Sequence, residues 1–252
     1  MNAWTDARPP LLEVSAALYL DFDGTLADIA LHPDRVVVRE QLPALLTALY
    51  ARLGGAVAVI TGRQLADVDA MLAPMRLPGA GLHGAEIRHE GTRLIRMPAP
   101  PALAALAAAL RERFGADPRL LIEHKGAAIA LHFRLAPERA AECVDAMRAL
   151  AGPGGLDVIA GNRVVEARPR GVDKGLALRA LAARPPFAAR PPVFVGDDVT
   201  DEDGFLAAAA LGGHGIRVGP GESAARYRIL EVTEVHAWLK ASLAAMTPGA
   251  VA

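Results

Sequence analysis

Three short aliphatic runs, Ala17–Leu20, Ala56–Ile60 and Val193–Val195, each stop at a reactive cluster: DFDGTL after the first, TGR after the second, GDDVTDED after the third. Short Val/Leu/Ile runs that alternate with Ala/Leu-rich helical stretches are the pattern of strands and crossover helices in an open α/β sheet. In a parallel sheet ligands bind outside the carboxyl ends of the strands. The three clusters, distant in sequence, are therefore predicted to meet in one crevice of a doubly wound parallel sheet.

The length of 252 residues accommodates one large domain or a domain with an insert. Residues 98–167 depart from the strand–helix alternation. They read as a helix (Pro101–Phe114), a hairpin in LLIEHKGAAIALHFR turning at Lys125–Gly126, a second helix (Pro137–Leu150) and a strand pair around GLDVIAGNRVVEA. Prolines at 98, 100, 101 and 169 flank this stretch. The expected layout is a core of residues 1–97 and 168–252 interrupted by an α+β insert of residues 98–167. A continuous domain with an antiparallel extension is the alternative.

Composition narrows the function classes. With 52% hydrophobic and 22% charged residues the chain is not disordered, and 27 basic against 28 acidic residues leave no global field to hold a polyanion, so no nucleic acid is expected. Cys143, the single cysteine, sits in a helical stretch with no second thiol, as a small semi-buried residue of a reducing compartment would. The amino-terminal stretch has no basic region followed by an apolar run, and the longest uncharged run, Met97–Leu110, is shorter than the roughly 20 residues of a membrane helix. A soluble, cytoplasmic protein without a membrane partner is expected. The RPPFAARPP and LGGHGIRVG stretches read as connections between helix and strand, and His214 is given no role.

Asp21 and Asp23 stand two residues apart at a strand end, with Gly24 allowing a sharp turn after them. At period two both carboxylates point to one side, and paired anions repel unless a cation lies between them. A hard divalent ion with oxygen ligands, Mg²⁺ first, resolves that repulsion. A bare DxD also occurs as a solvated strand end or a helix cap, but the full string DFDGTL resembles the first motif of the haloacid dehalogenase superfamily of phosphohydrolases. Ile60–Arg63 (ITGR) resembles the second motif, Lys174 in RGVDKG the third, and GDDVTDE from Gly196 the fourth. Four motifs in order are far more specific than any one of them. HGAEIR (83–88), IEHKGAAIALHFR (122–134), VVEARPRGVDKG (164–175) and GDDVTDEDGF (196–205) are similar to segments of the bacterial trehalose-6-phosphate phosphatases, over about residues 18–239.

The resemblance implies a Rossmann-like core, with residues 98–167 as an α+β cap, and it implies roles for single residues. Asp21 would attack phosphorus and form an aspartyl-phosphate, and Asp23 would protonate the leaving sugar oxygen and then deprotonate water. Mg²⁺ would be held by Asp21, the Asp23 carbonyl and Asp197, with Asp198 assigned to the metal as well and Asp201 nearby. Thr61 and Lys174 would bind the non-reacting phosphoryl oxygens. Glu123, Lys125, Arg134 and Glu166 are implied as the glucose-contacting set, with His132, His83 and Arg63 as further substrate-binding residues and Glu86 beside His83 at the boundary of core and cap. The partner implied is a small sugar phosphate, with a functional link to a trehalose-6-phosphate synthase. With aromatic residues at only 4%, the sugar would be read mainly by hydrogen bonds. Three other readings stay open: a phosphatase for sucrose 6-phosphate or glucosylglycerate phosphate, a phosphomutase, and a regulatory remnant of such a domain.

Overall fold

The computed structural model describes residues 7–30, 32, 35–89, 93–152 and 154–246. The chain divides into two compact units, Met1–Leu94 with Asp173–Ala252, and Ile95–Val172.

The first unit is built on a mostly parallel sheet. Its strands are β1 (Ala17–Leu20), β2 (Val57–Ile60), β3 (Gly79–Gly81), β4 (Glu86–Arg88), β10 (Pro192–Gly196), β11 (His214–Val218) and β12 (Tyr227–Ile229), in the order β12-β11-β10-β1-β2-β3-β4. All pairs are parallel except β3 with β4. Every residue of β1 and β2 is buried, which is why these strands read as continuous apolar runs and do not alternate. The sheet grows from β1 to β2 and β3 in one direction and from β10 to β11 and β12 in the other. Right-handed crossovers in opposite directions place connecting helices on opposite faces. The packing follows this: α1 (Leu42–Arg52) lies against α7 (Val232–Met246), and α5 (Lys174–Ala182) against α6 (Glu202–Ala210). One core joins β1, β2 and β10 to Leu42, Leu46 and Leu49 of α1, Leu178 and Leu181 of α5, Phe205 of α6 and Leu239 of α7. A short helix, α2 (Leu65–Met71), follows β2.

The strand order reverses at β1 and β10, neighbours whose chain continues to opposite sides. Such a switch point leaves a crevice at the carboxyl ends. The DFDGTL string leaves β1 there and the GDDVTDED string leaves β10 there.

The second unit begins with the exposed two-residue β5 (Ile95–Arg96) and contains α3 (Ala102–Phe114), β6 (Leu121–His124), β7 (Ile129–His132), α4 (Ala140–Ala151), β8 (Leu156–Gly161) and β9 (Val164–Pro169). Its antiparallel sheet has the order β6-β7-β9-β8. Pairing of Leu156 with Pro169 carries β9 two residues past Ala167. Ile129, Leu131, Val165 and Ala167 bury one sheet face with Leu106 and Leu110 of α3 and Cys143 and Met147 of α4. Period-two alternation sends Ala130, His132, Glu166 and Arg168 to the other face. Cys143 is a buried free thiol of this core. Among the described residues, no helix is long and apolar enough to cross a membrane.

Candidate active site

At the switch point, one oxygen from each of Asp21, Asp197 and Asp201 lies within 4.8 Å of the others. Asp21 is the first residue after β1 and Asp197 the first after β10. A single 3₁₀ turn (Val199–Asp201) then returns Asp201, fully buried, to the cluster. Asp201 Oδ2 accepts from the backbone N–H groups of Asp197 and Asp198 at 3.0 and 2.9 Å, which fixes the loop that carries them. A Cβ on Gly196 would stand 2.2 Å from Asp201 Cγ, and a Cβ on Gly24 2.1 Å from Asp197 Oδ2. Gly24 also has φ +78°, so this turn tolerates no side chain on either count.

Lys174 opens α5, two per cent exposed, and its Nζ donates to Asp21 Oδ1 at 2.8 Å and to Asp201 Oδ1 at 2.7 Å. Asp173 caps the helix beneath it, its Oδ1 accepting from Leu176 N–H at 2.7 Å. Burial works against the ammonium, but the charges of Asp201 and Asp21 outweigh it and hold Lys174 above the ordinary lysine range. Burial, opposed by Lys174 and reinforced by Asp201 and Asp197, holds the Asp21 carboxyl well above its ordinary value. Asp197 is pushed up to about 7, chiefly by burial and then by Asp201.

Three carboxylates against one ammonium leave two negative charges uncompensated within the cluster. An all-oxygen donor set with that deficit fits a hard divalent cation such as Mg²⁺. Of the residues expected to hold metal, Asp21 and Asp197 are in the triad. The carboxylates of Asp23 and Asp198 are outside it, and Asp201 completes it. Within a string as acidic as DDVTDED, only the 3₁₀ turn decides which carboxylates converge.

Beside the triad, Arg63 grips Asp23: Nε donates to Oδ2 at 2.6 Å and Nη2 to Oδ1 at 2.7 Å. Thr61, one per cent exposed, accepts at Oγ1 from Arg63 N–H at 3.1 Å. This loop is held from behind by the turn that follows β3. Leu82 N–H donates to the Arg63 carbonyl and His83 N–H to the Thr61 carbonyl, both at 2.9 Å. Leu82 and His83 have φ of +49° and +56°, a left-handed pair costly for residues with side chains. Glu86, two per cent exposed, accepts at Oε2 from Leu65 N–H at the start of α2, 2.9 Å away. His83 and Glu86 thus brace the second motif, a role the sequence signals only through their place after a glycine-rich strand.

In the second unit a polar row occupies the face opposite the helices. Glu123 and Glu166 both pair across Ala130 of the central strand, and this methyl side chain leaves a notch between two carboxylates. Lys125 Nζ donates to Glu166 Oε2 at 3.1 Å and lies 3.8 Å from Glu123 Oε2, while His132 Nε2 meets Glu123 Oε2 at 2.7 Å. Burial raises the Glu123 carboxyl, but the His132 hydrogen bond and the Lys125 charge together bring it below its ordinary value. Four of the expected sugar residues are therefore one cluster. Arg134, expected on the same strand as His132, lies in the turn beyond it, because β7 ends at His132 and Ala136 N–H closes on the Phe133 carbonyl at 3.1 Å.

A family model described as trehalose-phosphatase matches residues 19–230. The trehalose-6-phosphate phosphatase of Escherichia coli (strain K12) is 38% identical over 237 residues, covering 92% of this chain and 88% of that protein. A Sinorhizobium fredii protein named "Probable trehalose-phosphate phosphatase" is 44% identical over 206 residues, 81% of this chain and 78% of its own. Among solved structures, the C-terminal domain of Candida albicans trehalose-6-phosphate phosphatase has the same fold, with a TM-score of 0.83 at 21% identity over 92% of this chain and 94% of that one.

Proposed function

The chain belongs to the trehalose-phosphatase family, and on that premise we propose that it hydrolyses trehalose 6-phosphate to trehalose and inorganic phosphate. The observation that carries this reading is the largely buried cluster of three carboxylates and one lysine at the switch point of the sheet.

In the first half-reaction an Asp21 oxygen forms a bond to phosphorus as the bond from phosphorus to the sugar oxygen breaks, and Asp23 gives that oxygen its proton. In the second, Asp23 takes a proton from water, the water oxygen attacks phosphorus, and the Asp21 carboxylate leaves. Lys174 offsets part of the effect of burial on Asp21 and adds positive charge where phosphoryl oxygens gather. Thr61 supplies a hydroxyl at the same end of the sheet. Mg²⁺, held by Asp21, Asp197 and Asp201, would act as a Lewis acid toward the phosphoryl group.

The second unit acts in this reading as the specificity cap, with Glu123, Lys125, His132 and Glu166 as hydrogen-bonding groups for sugar hydroxyls and Arg134 beside them. The setting is cytoplasmic, and the substrate is supplied by a trehalose-6-phosphate synthase.

Phosphate release from trehalose 6-phosphate, sucrose 6-phosphate and glucose 6-phosphate, with Mg²⁺ and with chelator, tests the reading. Turnover is expected on the first ester in Mg²⁺ and at background rate in chelator. Equal rates on all three esters, or full activity in chelator, would overturn it. Glu123→Ala is expected to lower kcat/KM for trehalose 6-phosphate by roughly 10- to 100-fold, as the loss of charged hydrogen bonds worth about 1.5–3 kcal/mol implies. The same variant should turn over a small phosphate ester at nearly the parental rate. An equal loss on both esters would remove Glu123 from the sugar site.

A further inference from the structure

Asp23 has to deliver a proton to one oxygen and later collect one from another, so the orientation of its carboxylate governs both half-reactions. That carboxylate is not left to rotate. Both of its oxygens are engaged by one guanidinium, at 2.6 and 2.7 Å, in a two-point fork that sets the carboxylate plane as well as its position.

The guanidinium is itself anchored. The Arg63 side chain is 14% exposed and its guanidinium carbon lies 5.9 Å from the centre of the Phe22 ring. Its backbone is tied at both ends, by N–H to Thr61 Oγ1 and by its carbonyl to Leu82 N–H. The tie on the carbonyl side comes from the left-handed Leu82–His83 turn, which Glu86 secures to the start of α2. Strain held in this turn is accounted for if the turn fixes the arginine that holds Asp23.

We propose that Arg63 is the positioning residue of Asp23: it holds the acid/base carboxylate in its working orientation, and the turn of residues 82–86 holds Arg63. The inference rests on the reading of Asp23 as the acid/base, and it gives Arg63 a task distinct from contact with substrate.

Leaving-group dependence separates the two. A sugar alkoxide needs a proton as it departs, whereas p-nitrophenolate departs without one, and kcat/KM reports the steps through ester cleavage. Arg63→Met should lower kcat/KM for trehalose 6-phosphate by about 100-fold and for p-nitrophenyl phosphate by no more than about threefold. Asp23→Asn should show the same selectivity. The double variant should be no worse than Asp23→Asn alone, since the guanidinium then has nothing to position. Arg63→Lys, which keeps the cation and loses the fork, should give an intermediate loss with the same selectivity, and it carries the comparison if Arg63→Met does not fold.

Equal losses on the two esters, or losses that multiply in the double variant, would overturn the proposal and return Arg63 to substrate binding. If the parental enzyme leaves trehalose 6-phosphate intact but cleaves another sugar phosphate, the proposed substrate fails. The Arg63 comparison is then decided on that ester.

Discussion

Asp21→Asn is expected to reduce phosphate release by at least about 10⁴-fold, since loss of a covalent nucleophile removes the whole two-step route. The carboxamide has the shape of the carboxylate, and its oxygen can still accept from Lys174, but it is too weak a nucleophile to attack phosphorus. It also removes one of three clustered acids, and Asp21 itself is held above its ordinary pKa by burial and then by the charges of Asp201 and Asp197. The urea midpoint of the metal-free variant should therefore stay at or above that of the parent while the rate collapses. Measured together, these separate a chemical role from a structural one. A variant within tenfold of the parental rate would place the nucleophile elsewhere.

Lys174→Met should have the second largest effect and a different signature. The lysine is the buried cation that Asp21 and Asp201 share. Removing one member of a buried ionic cluster leaves the others uncompensated, a cost of about 3–5 kcal/mol before any relief by protonation. The metal-free variant should accordingly unfold at lower urea than the parent. In kcat/KM the loss should reach on the order of 10²–10³-fold, as for removal of one electrostatic contact to a reacting group. A parental urea midpoint together with near-parental kinetics would reduce Lys174 to a solvated lysine at a helix start.

Much of this site was legible in the sequence because each reactive cluster directly follows an aliphatic run. Asp21 and Asp197 each stand immediately after a buried parallel strand, and strands pair in a way that brings their ends together. Lys174 was legible through the RGVDKG string that resembles the third motif. The polar row of the second unit was legible through the resemblance of IEHKGAAIALHFR and VVEARPRGVDKG, except for Arg134, which lies two residues past the end of β7. What could not be read depended on turns and on contacts between distant segments. Whether Asp198 or Asp201 points into the triad is decided by one 3₁₀ turn inside a string with five acidic residues in eight. The Arg63–Asp23 fork spans 40 residues, and the side chain of an arginine after a glycine can reach many places. The left-handed Leu82–His83 pair leaves little signal, since leucine disfavours that conformation and a single histidine beside it does not announce a turn.

The bond from Lys174 to Asp21 spans 153 residues, so it has consequences for how the chain is made. The unit from Ile95 to Val172 is continuous in sequence and its partners are near neighbours, whereas the sheet around it is interrupted and cannot pair β1 with β10 until residue 196 has been synthesised. Long-range parallel pairing has a loop-closure cost that local hairpins do not have. A ribosome-bound chain therefore holds a completed insert before it holds any arrangement able to bind a phosphate. Activity arrives in one late step, when the last carboxylates emerge and the sheet closes.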